Sequence, residues 1–148
     1  MITVEDILMG KGPDIIVATS TTTVLEAVKL MAEDNIGSVI IRDDDKIKGI
    51  FTERDLLKRV VGEGKDPSTI TLSEVMSSPV NACRISDDVN ECARILSETN
   101  TRHLAVVEDD ALVGLISLRD VQAAQARIAW KRPLDDPENA MIPVFYEG

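Results

Sequence analysis

The chain has 148 residues and 44% of them are hydrophobic, which suffices for a packed core and excludes an intrinsically disordered protein. Its 26 acidic and 16 basic residues give a net charge of −10, which opposes general attraction to nucleic acid or to anionic membranes. Only 3% of the residues are aromatic, so the core must be aliphatic and a surface that stacks single-stranded bases is disfavoured.

Cysteine usage and the amino terminus indicate the cellular context. Cys83 and Cys92 form neither a CxxC pair nor a zinc-type cluster, and His103 is the single histidine. Buried thiols in a reducing cytosol are therefore favoured over a metal site. The amino terminus has no basic leader, and no stretch approaches the ~20 apolar residues that cross a bilayer. We expect a soluble, cytoplasmic protein without a metal.

The predicted elements, taken in chain order, fall into two sets. The first is a strand at 15–19, a helix from Thr23, strands at 38–42 and 47–52 around an acidic turn, and a helix over 53–61. After a linker at 62–68 that contains Gly and Pro, the order recurs: strand 80–84, a helix from Asp88, strands 103–108 and 112–117, and a helix over 118–130. Three prolines exclude a continuous helix in the tail, 131–148.

The first helix of each set is amphipathic and carries a start signal. Each begins with a capping residue and a Glu three positions later, Thr23 with Glu26 and Asp88 with Glu91, which predicts two capping boxes. The apolar positions at helical spacing are Val24, Ala27, Val28 and Met31 in the first helix, and Val89, Cys92, Ala93 and Leu96 in the second.

An internal repeat therefore organises the chain. A shift of 65 residues lays positions 35–55 on 100–120 without a gap and with six identical residues. Two sheets of about three strands each are too small to bury both faces alone. We expect an α/β (α+β) fold in which the two repeats pack through their sheets as a pseudo-twofold pair. A cleft on that axis is bordered by the same backbone features from both repeats, so it suits up to two related sites.

The motif at the end of each repeat has two interpretations. It reads "GIFTERD" at 49–55 and "GLISLRD" at 114–120, so a hydroxyl residue precedes an aspartate by three positions in Thr52/Asp55 and Ser117/Asp120. This spacing is typical of a helix N-cap, and a helix N-terminus also suits a phosphate. No Ser-His-Asp set, paired carboxylates or phosphate loop is visible, since "GKGPD" at 10–14 lacks the spacing, and no catalytic residues are predicted.

The tandem pattern resembles a known family. The stretches "LEAVKLMAEDNIGSVIIRDDDKIKGIFTERDLLKRV" and "CARILSETNTRHLAVVEDDALVGLISLRDV" are similar to the CBS domain pair, or Bateman module, named for cystathionine β-synthase. The resemblance covers roughly 4–128 and divides the chain into repeat 1 (4–65), repeat 2 (69–130) and the tail. It implies a β-α-β-β-α unit in tandem, here without an attached enzyme domain, as in the stand-alone two-repeat proteins.

The function implied by this resemblance is regulatory, not catalytic. Such pairs bind an adenosine-containing ligand (AMP, ADP, ATP, S-adenosylmethionine or an NAD-type dinucleotide) between the repeats, with no catalytic cofactor. They form homodimers, so an energy-sensing homodimer is the leading hypothesis. The alternative is a ligand-free module that regulates a separate, unknown protein through its surface or its tail, for which the apolar stretch at 141–146 is a candidate. An enzyme acting on the nucleotide is the least favoured hypothesis.

The resemblance also implies roles for residues at matching positions. Asp55 and Asp120 would accept hydrogen bonds from ribose hydroxyls, and Thr52 and Ser117 would contact phosphate or ribose. Ile50 and Leu115 would lie beside adenine. Thr19 would lie beneath the ligand of the opposite repeat, with Arg84 as its counterpart. The resemblance also carries over Ser38, Arg102 and His103, where the second strand of each repeat begins, and Arg54 and Arg119 within the motif.

The two copies differ in cations. Arg102 and His103 stand where the first repeat has Gly37 and Ser38, so we expect the site beside Asp120 to be better equipped for an anion. His103 is either a hydrogen-bonded structural residue or a phosphate contact. Arg54 and Arg119 either reach phosphate or lie in solvent, and Arg84 is a candidate phosphate contact at the position that matches Thr19.

Overall fold

The computed structural model describes residues 1–12 and 15–130, so the predicted tail at 131–148 lies outside the described part. Two three-stranded sheets have the same topology: the first strand is parallel to the second, which is antiparallel to the third. The predicted α/β fold of tandem repeats is confirmed. The strands are β1 (Ile16–Ala18), β2 (Ser38–Asp43), β3 (Lys46–Thr52), β4 (Ala82–Cys83), β5 (His103–Glu108) and β6 (Ala111–Ser117).

The helices agree with the sequence pattern where it is periodic and differ from it where the segment is short. They are α1 (Val4–Lys11), α2 (Val24–Asp34), α3 (Glu53–Asp55), α4 (Leu72–Val75), α5 (Val89–Thr99) and α6 (Leu118–Trp130). The short helices α1 and α4 were not predicted. The helix predicted over 53–61 is α-helical only in α3 and continues as a π-helical segment, Leu56–Val61, whose last turn closes with the Gly62 N–H donating to the Leu57 carbonyl.

The predicted hairpins are confirmed, and their turns are formed by aspartates. Asp44 has a φ of 52°, and Asp109 and Asp110 have φ values of 49° and 62°. Asp tolerates this left-handed region better than most residues because its short side chain hydrogen-bonds locally. Each hairpin also has one register shift, after Ile41 in one repeat and after Val106 in the other, so the repeat extends to backbone irregularities.

One of the two predicted capping boxes forms completely. Thr23 Oγ1 accepts from the Glu26 N–H, and the Glu26 carboxylate accepts from the Thr23 N–H. Asp88 caps α5 by accepting from the Asn90 N–H at 2.8 Å, but Glu91 does not complete the box. The prediction for Glu91 was wrong because its carboxylate pairs with Arg94 on the same helix.

Each sheet has its own core, and a third apolar cluster joins the two sheets. Ile40, Ile50 and Leu115 are buried between the repeats, where the sheets face each other. Helix α1 precedes β1 in the first repeat but packs Val4 and Ile7 into the core of the second. Helix α4, which precedes β4, packs reciprocally into the core of the first repeat. The connecting segments therefore cross between the repeats, and neither repeat has a complete core without the segment that crosses to it.

None of the helices in the described ranges has the length and apolar character that a bilayer span requires.

Candidate functional site

A cleft of about 1130 Å³ lies between the repeats. Ends of strands from both sheets border it, because the pseudo-twofold arrangement brings the carboxyl ends of β3 and β6 to the same side. Its walls include the predicted residues Ser38, Ile50, Thr52, Arg54, Asp55, Arg102, His103, Leu115, Ser117 and Arg119. Ten positions scattered through two repeats are thus brought to one site.

Both motif aspartates cap the helix in which they lie. Thr52 and Ser117 end β3 and β6, opposite Ser38 and His103 in the strand register. Asp55 Oδ2 accepts from the Thr52 N–H at 3.0 Å, and Asp120 Oδ2 accepts from the Ser117 N–H at 2.8 Å. The predicted cap geometry is confirmed in both repeats. The cap uses Oδ2 of each carboxylate, and each carboxylate has lone pairs left for a further partner.

In the first repeat that further partner comes from the segment after α4. Asp55 Oδ1 accepts from Ser77 Oγ at 3.0 Å and lies 3.6 Å from Arg59 Nε. Asp55 is 7% exposed and is the one buried charged residue in the described part of the chain. Burial of a carboxylate requires such partners, because an unpaired charge inside a protein is costly. The segment that crosses between repeats therefore holds the first motif aspartate in place.

In the second repeat the partner of the motif aspartate is a cation. Lys11, the last residue of α1, places Nζ 2.8 Å from Asp120 Oδ2 and 2.9 Å from the Leu115 carbonyl oxygen. Partial burial alone would raise the pKa of Asp120, but hydrogen bonds from Lys11 and the Ser117 N–H outweigh it and hold this pKa below the usual 3.8. The second site is thus more cationic than its sequence motif indicates.

Three predicted residues are not on the cleft wall. Thr19 is exposed and has its hydroxyl 3.2 Å from the hydroxyls of Thr21 and Thr22, where it organises the turn before α2. Arg84 is exposed, and its N–H donates to Asp87 Oδ2 at 2.8 Å. Asp120, whose side chain is 23% exposed, is not among the wall residues, but its ion-pair partner Lys11 is. The structure therefore brings together ten of the predicted positions and leaves these three outside.

His103 is half-buried, and its environment favours the neutral imidazole. Burial lowers the pKa of His103 below 6.5, and the ammonium of Lys11 lowers it further, against the opposing effect of Asp120. At neutral pH this side chain offers one N–H donor and no charge. The charge for an anion must come from Arg102, Lys11 and Arg119.

Residues that the sequence did not indicate complete the site. Lys11, Glu53, Ser77 and Leu118 all line the cleft. Lys11 belongs to "GKGPD", which fails as a phosphate loop, and no local pattern links it to a motif 109 residues away. Glu53 and Leu118 follow the motif hydroxyls directly, so comparison of the two repeats at that position is a signal that could have found them.

The residues of the described ranges offer no metal site. No group of three or more His, Cys, Asp or Glu side chains in 1–12 and 15–130 is placed to hold an ion. Cys83 and Cys92 are both buried, as predicted, in the core of the second repeat. Hydrogen bonding to Cys92 and burial raise the pKa of the Cys83 thiol, which keeps it protonated and unreactive.

Comparisons with known proteins agree with this architecture. The family model described as the CBS domain matches residues 4–62 and 72–127. A protein of Methanopyrus kandleri is 36% identical over 110 residues, which are 73% of this chain and 56% of that protein. The solved structure of a CBS-domain protein from Burkholderia ambifaria is 35% identical, with a TM-score of 0.77 over 89% of this chain and 98% of that one. The hexameric CBS-CP12 protein of bloom-forming cyanobacteria is 26% identical, with a TM-score of 0.78, and the match covers 90% of this chain and 73% of that one.

The fold and the cleft define a pseudo-symmetric module of two α/β repeats with one site region between them. The chain belongs to the CBS domain family, and its repeats form a CBS domain pair. Proteins of this class are typically regulatory, not catalytic. The chain spans little more than half of the length of the Methanopyrus relative.

Proposed function

We propose that this CBS domain pair is a regulatory module that binds an adenosine-containing ligand, AMP, ADP, ATP or S-adenosylmethionine, in the cleft between its repeats. The observation that carries the proposal is the equivalent placement of Asp55 and Asp120, each at the start of a helix and at the end of a strand that borders one cleft. Carboxylates in such positions suit the vicinal hydroxyls of a ribose.

The rest of the cleft supplies the other contacts that an adenosine ligand needs. Ile50 and Leu115 are 7% and 6% exposed and lie where the sheets meet, so they offer apolar surface to a base. The side chains of Arg102 and Arg119 suit phosphate. The proposal therefore assigns apolar, polar and cationic parts of one cleft to the three parts of a nucleotide.

Regulation follows from the position of the cleft between two packed repeats. A ligand that contacts both repeats stabilises the arrangement it binds best, and it shifts the equilibrium by its difference in affinity for the two arrangements. The crossed segments at α1 and α4 couple such a change to both cores, because Lys11 and Ser77 lie at the ends of these segments and hold the motif aspartates. We include homodimerisation in the proposal, and the hexameric state of the CBS-CP12 protein shows that the fold supports self-association elsewhere.

A thermal-shift panel of AMP, ADP, ATP, S-adenosylmethionine and NADH tests the proposal. A ligand at 100 times its Kd adds about 2.7 kcal/mol of stability. For a domain of this size we expect the Tm to rise by roughly 5–10 °C. An unchanged Tm with every adenosine compound at millimolar concentration would refute adenosine binding.

A second candidate function is that of a protein-interaction module without a ligand. It is favoured by Leu57 and Val61, which are 64% and 63% exposed on the π-helical segment. The tail at 131–148, which we predicted as a possible contact, lies outside the described residues. Retention of a partner by the full chain, its loss in Leu57→Asp, and indifference to the nucleotide panel would favour this function over the first.

A further inference from the structure

The two halves of the cleft share one backbone contact and differ in the side chains that it positions. The Glu53 N–H donates to the Gly37 carbonyl at 3.1 Å, and the Leu118 N–H donates to the Arg102 carbonyl at 2.8 Å. Positions 37 and 53 of the first repeat therefore correspond to positions 102 and 118 of the second, and all four residues line the cleft. A change of side chain at these positions alters the wall of the cleft without altering the scaffold.

Glu53 occupies the space that a side chain at position 37 would need. A Cβ at Gly37 would lie 3.2 Å from Cδ and 3.3 Å from Oε1 of Glu53. The second repeat has the opposite arrangement, because position 102 carries a guanidinium group and Leu118 adds no charge beside it. The second repeat therefore presents the Arg102 guanidinium group to the cleft, and the first repeat presents the Glu53 carboxylate, which lies beside Gly37.

The other charged residues of the wall extend this contrast. The first-repeat half has three acids and one base, and the second-repeat half has three bases and no acid among the described residues. These are Asp34, Glu53, Asp55 and Arg54 in the first half, and Lys11, Arg102 and Arg119 in the second. Two of these charges already have a counterion, since Lys11 lies 2.8 Å from Asp120 and Asp55 lies 3.6 Å from Arg59. The remaining wall charges are Asp34, Glu53 and Arg54 in the first half and Arg102 and Arg119 in the second. An anion entering the cleft is therefore repelled at one end and attracted at the other.

We propose, on the basis of the nucleotide-binding function above, that Glu53 is a specificity-determining residue that excludes phosphate from the first half of the cleft. Phosphate groups bind only against Arg102, and the half beside Asp55 takes an uncharged or cationic group. Each repeat thus has its own ribose-binding aspartate, and the two halves of the cleft differ in the charge of the group that they prefer. A ligand with phosphate at one end and a neutral or cationic group at the other matches both halves at once.

Inorganic pyrophosphate tests this assignment, since it carries charge and no nucleoside. The readout is the pyrophosphate concentration at the midpoint of the backbone amide shift changes, measured by NMR titration of the full chain. The midpoints of residues 37, 38, 52 and 53, the first group, are compared with those of residues 102, 103, 117 and 118, the second group. In the unmodified chain we expect the second group to respond at a concentration at least tenfold lower than the first. Glu53→Gln should lower the midpoint of the first group at least threefold and leave the second group unchanged.

The matched control is Glu63→Gln. It makes the same change in net charge at a residue outside the cleft wall, 3.4 Å from Lys65. Adding Gly37→Arg to Glu53→Gln should tighten the first group further. Equal midpoints in the unmodified chain, no response of the second group, or identical behaviour of Glu53→Gln and Glu63→Gln would overturn the inference. If the amides follow the expected order while no adenosine compound raises the Tm, the charge assignment stands and adenosine binding fails.

Discussion

Lys11 Nζ lies 2.8 Å from Asp120 Oδ2, across 109 residues of sequence, and the same ammonium group donates to the Leu115 carbonyl oxygen at 2.9 Å. One residue at the end of α1 thus connects the amino-terminal segment to the cap and to the apolar wall of the second site. The equivalent aspartate of the first repeat, Asp55, accepts from Ser77 Oγ at 3.0 Å and lies 3.6 Å from Arg59 Nε. Each site therefore has a motif carboxylate, but its nearest side-chain partner from outside the motif is a hydroxyl in the first repeat and an ammonium group in the second.

Lys11→Met should raise the pKa of Asp120, because the partial burial remains while its counterion is lost. A lowered carboxyl pKa contributes stability that is present above 3.8 and lost as the pH falls through the folded value, so this contribution should shrink in the variant. At pH 7 we expect a loss of about 0–1 kcal/mol in unfolding free energy, since the pair is partly exposed.

The measurement is the carboxyl carbon shift of Asp120 during an acid titration, together with urea unfolding. Lys65→Met removes an ammonium that pairs with Glu63, outside the cleft wall, and should leave the pKa of Asp120 unchanged. A titration of Asp120 that is the same in Lys11→Met and in the unmodified chain would contradict the role of Lys11.

Asp120→Ala should weaken ADP binding by about tenfold or more, and more than Asp55→Ala, measured by calorimetric titration. The second half of the cleft has the cations, and the first aspartate already accepts from Ser77 and Thr52. Asp55→Ala should instead lower the unfolding free energy by about 1–3 kcal/mol, because it removes a buried, hydrogen-bonded carboxylate. Equal losses of affinity in the two variants would show that this ranking of the sites is wrong.

Gly49→Ala should destabilise the protein by about 1–3 kcal/mol, and more than Gly114→Ala. A Cβ at Gly49 would lie 2.8 Å from the Ser77 carbonyl oxygen, which accepts from the Ile50 N–H and cannot move without loss of that bond. The three atoms nearest to a Cβ at Gly114 all belong to the side chain of Leu8, the first at 2.8 Å, and a leucine side chain can turn away.

Urea unfolding of both glycine variants is the measurement, and Gly10→Ala is the matched control. Gly10 lies in α1 with nothing within 4 Å of its added Cβ, so alanine there should be neutral or stabilising by about 0.5–1 kcal/mol. Equal losses of unfolding free energy in Gly49→Ala and Gly114→Ala would contradict the expectation that a clash with the backbone costs more than a clash with a side chain.

His103 should make stability decrease as the pH falls below 6.5. Its folded pKa is lowered, mainly by burial and then by Lys11 and Arg102, while Asp120 and Asp55 oppose the shift. The unfolded state binds the proton first, so the contribution of this group is present above pH 6.5 and is lost as the pH falls through the lower folded value.

The test compares unfolding free energies at pH 7.5 and pH 5.5 in the unmodified chain and in His103→Gln. The unmodified chain should lose more stability over this interval than the variant. A larger loss in His103→Gln would mean that the folded pKa of His103 is not lowered. Carboxylates have little influence over this interval, because their usual pKa values lie near 4.

Local interactions explain why much of the fold and of the site could be predicted. The hairpins follow from apolar runs around aspartate turns, and the caps at Thr23, Thr52 and Ser117 follow from spacings of three residues. The repeat of 65 residues places the two motifs at equivalent positions, so one common cleft was expected. Glu91 shows the limit of such patterns, because a competing ion pair with Arg94 removes it from the cap.

The sequence by itself determined the two repeats, their element order and the paired motifs, since contacts within a few residues depend mainly on spacing and side-chain type. Only the tertiary structure decided which groups complete the sites. Lys11 and Ser77 reach the motif aspartates because α1 and α4 cross to bury their apolar faces in the opposite repeat. The opposing charges of the two halves arise from the same packing, which brings side chains far apart in the chain to one cleft.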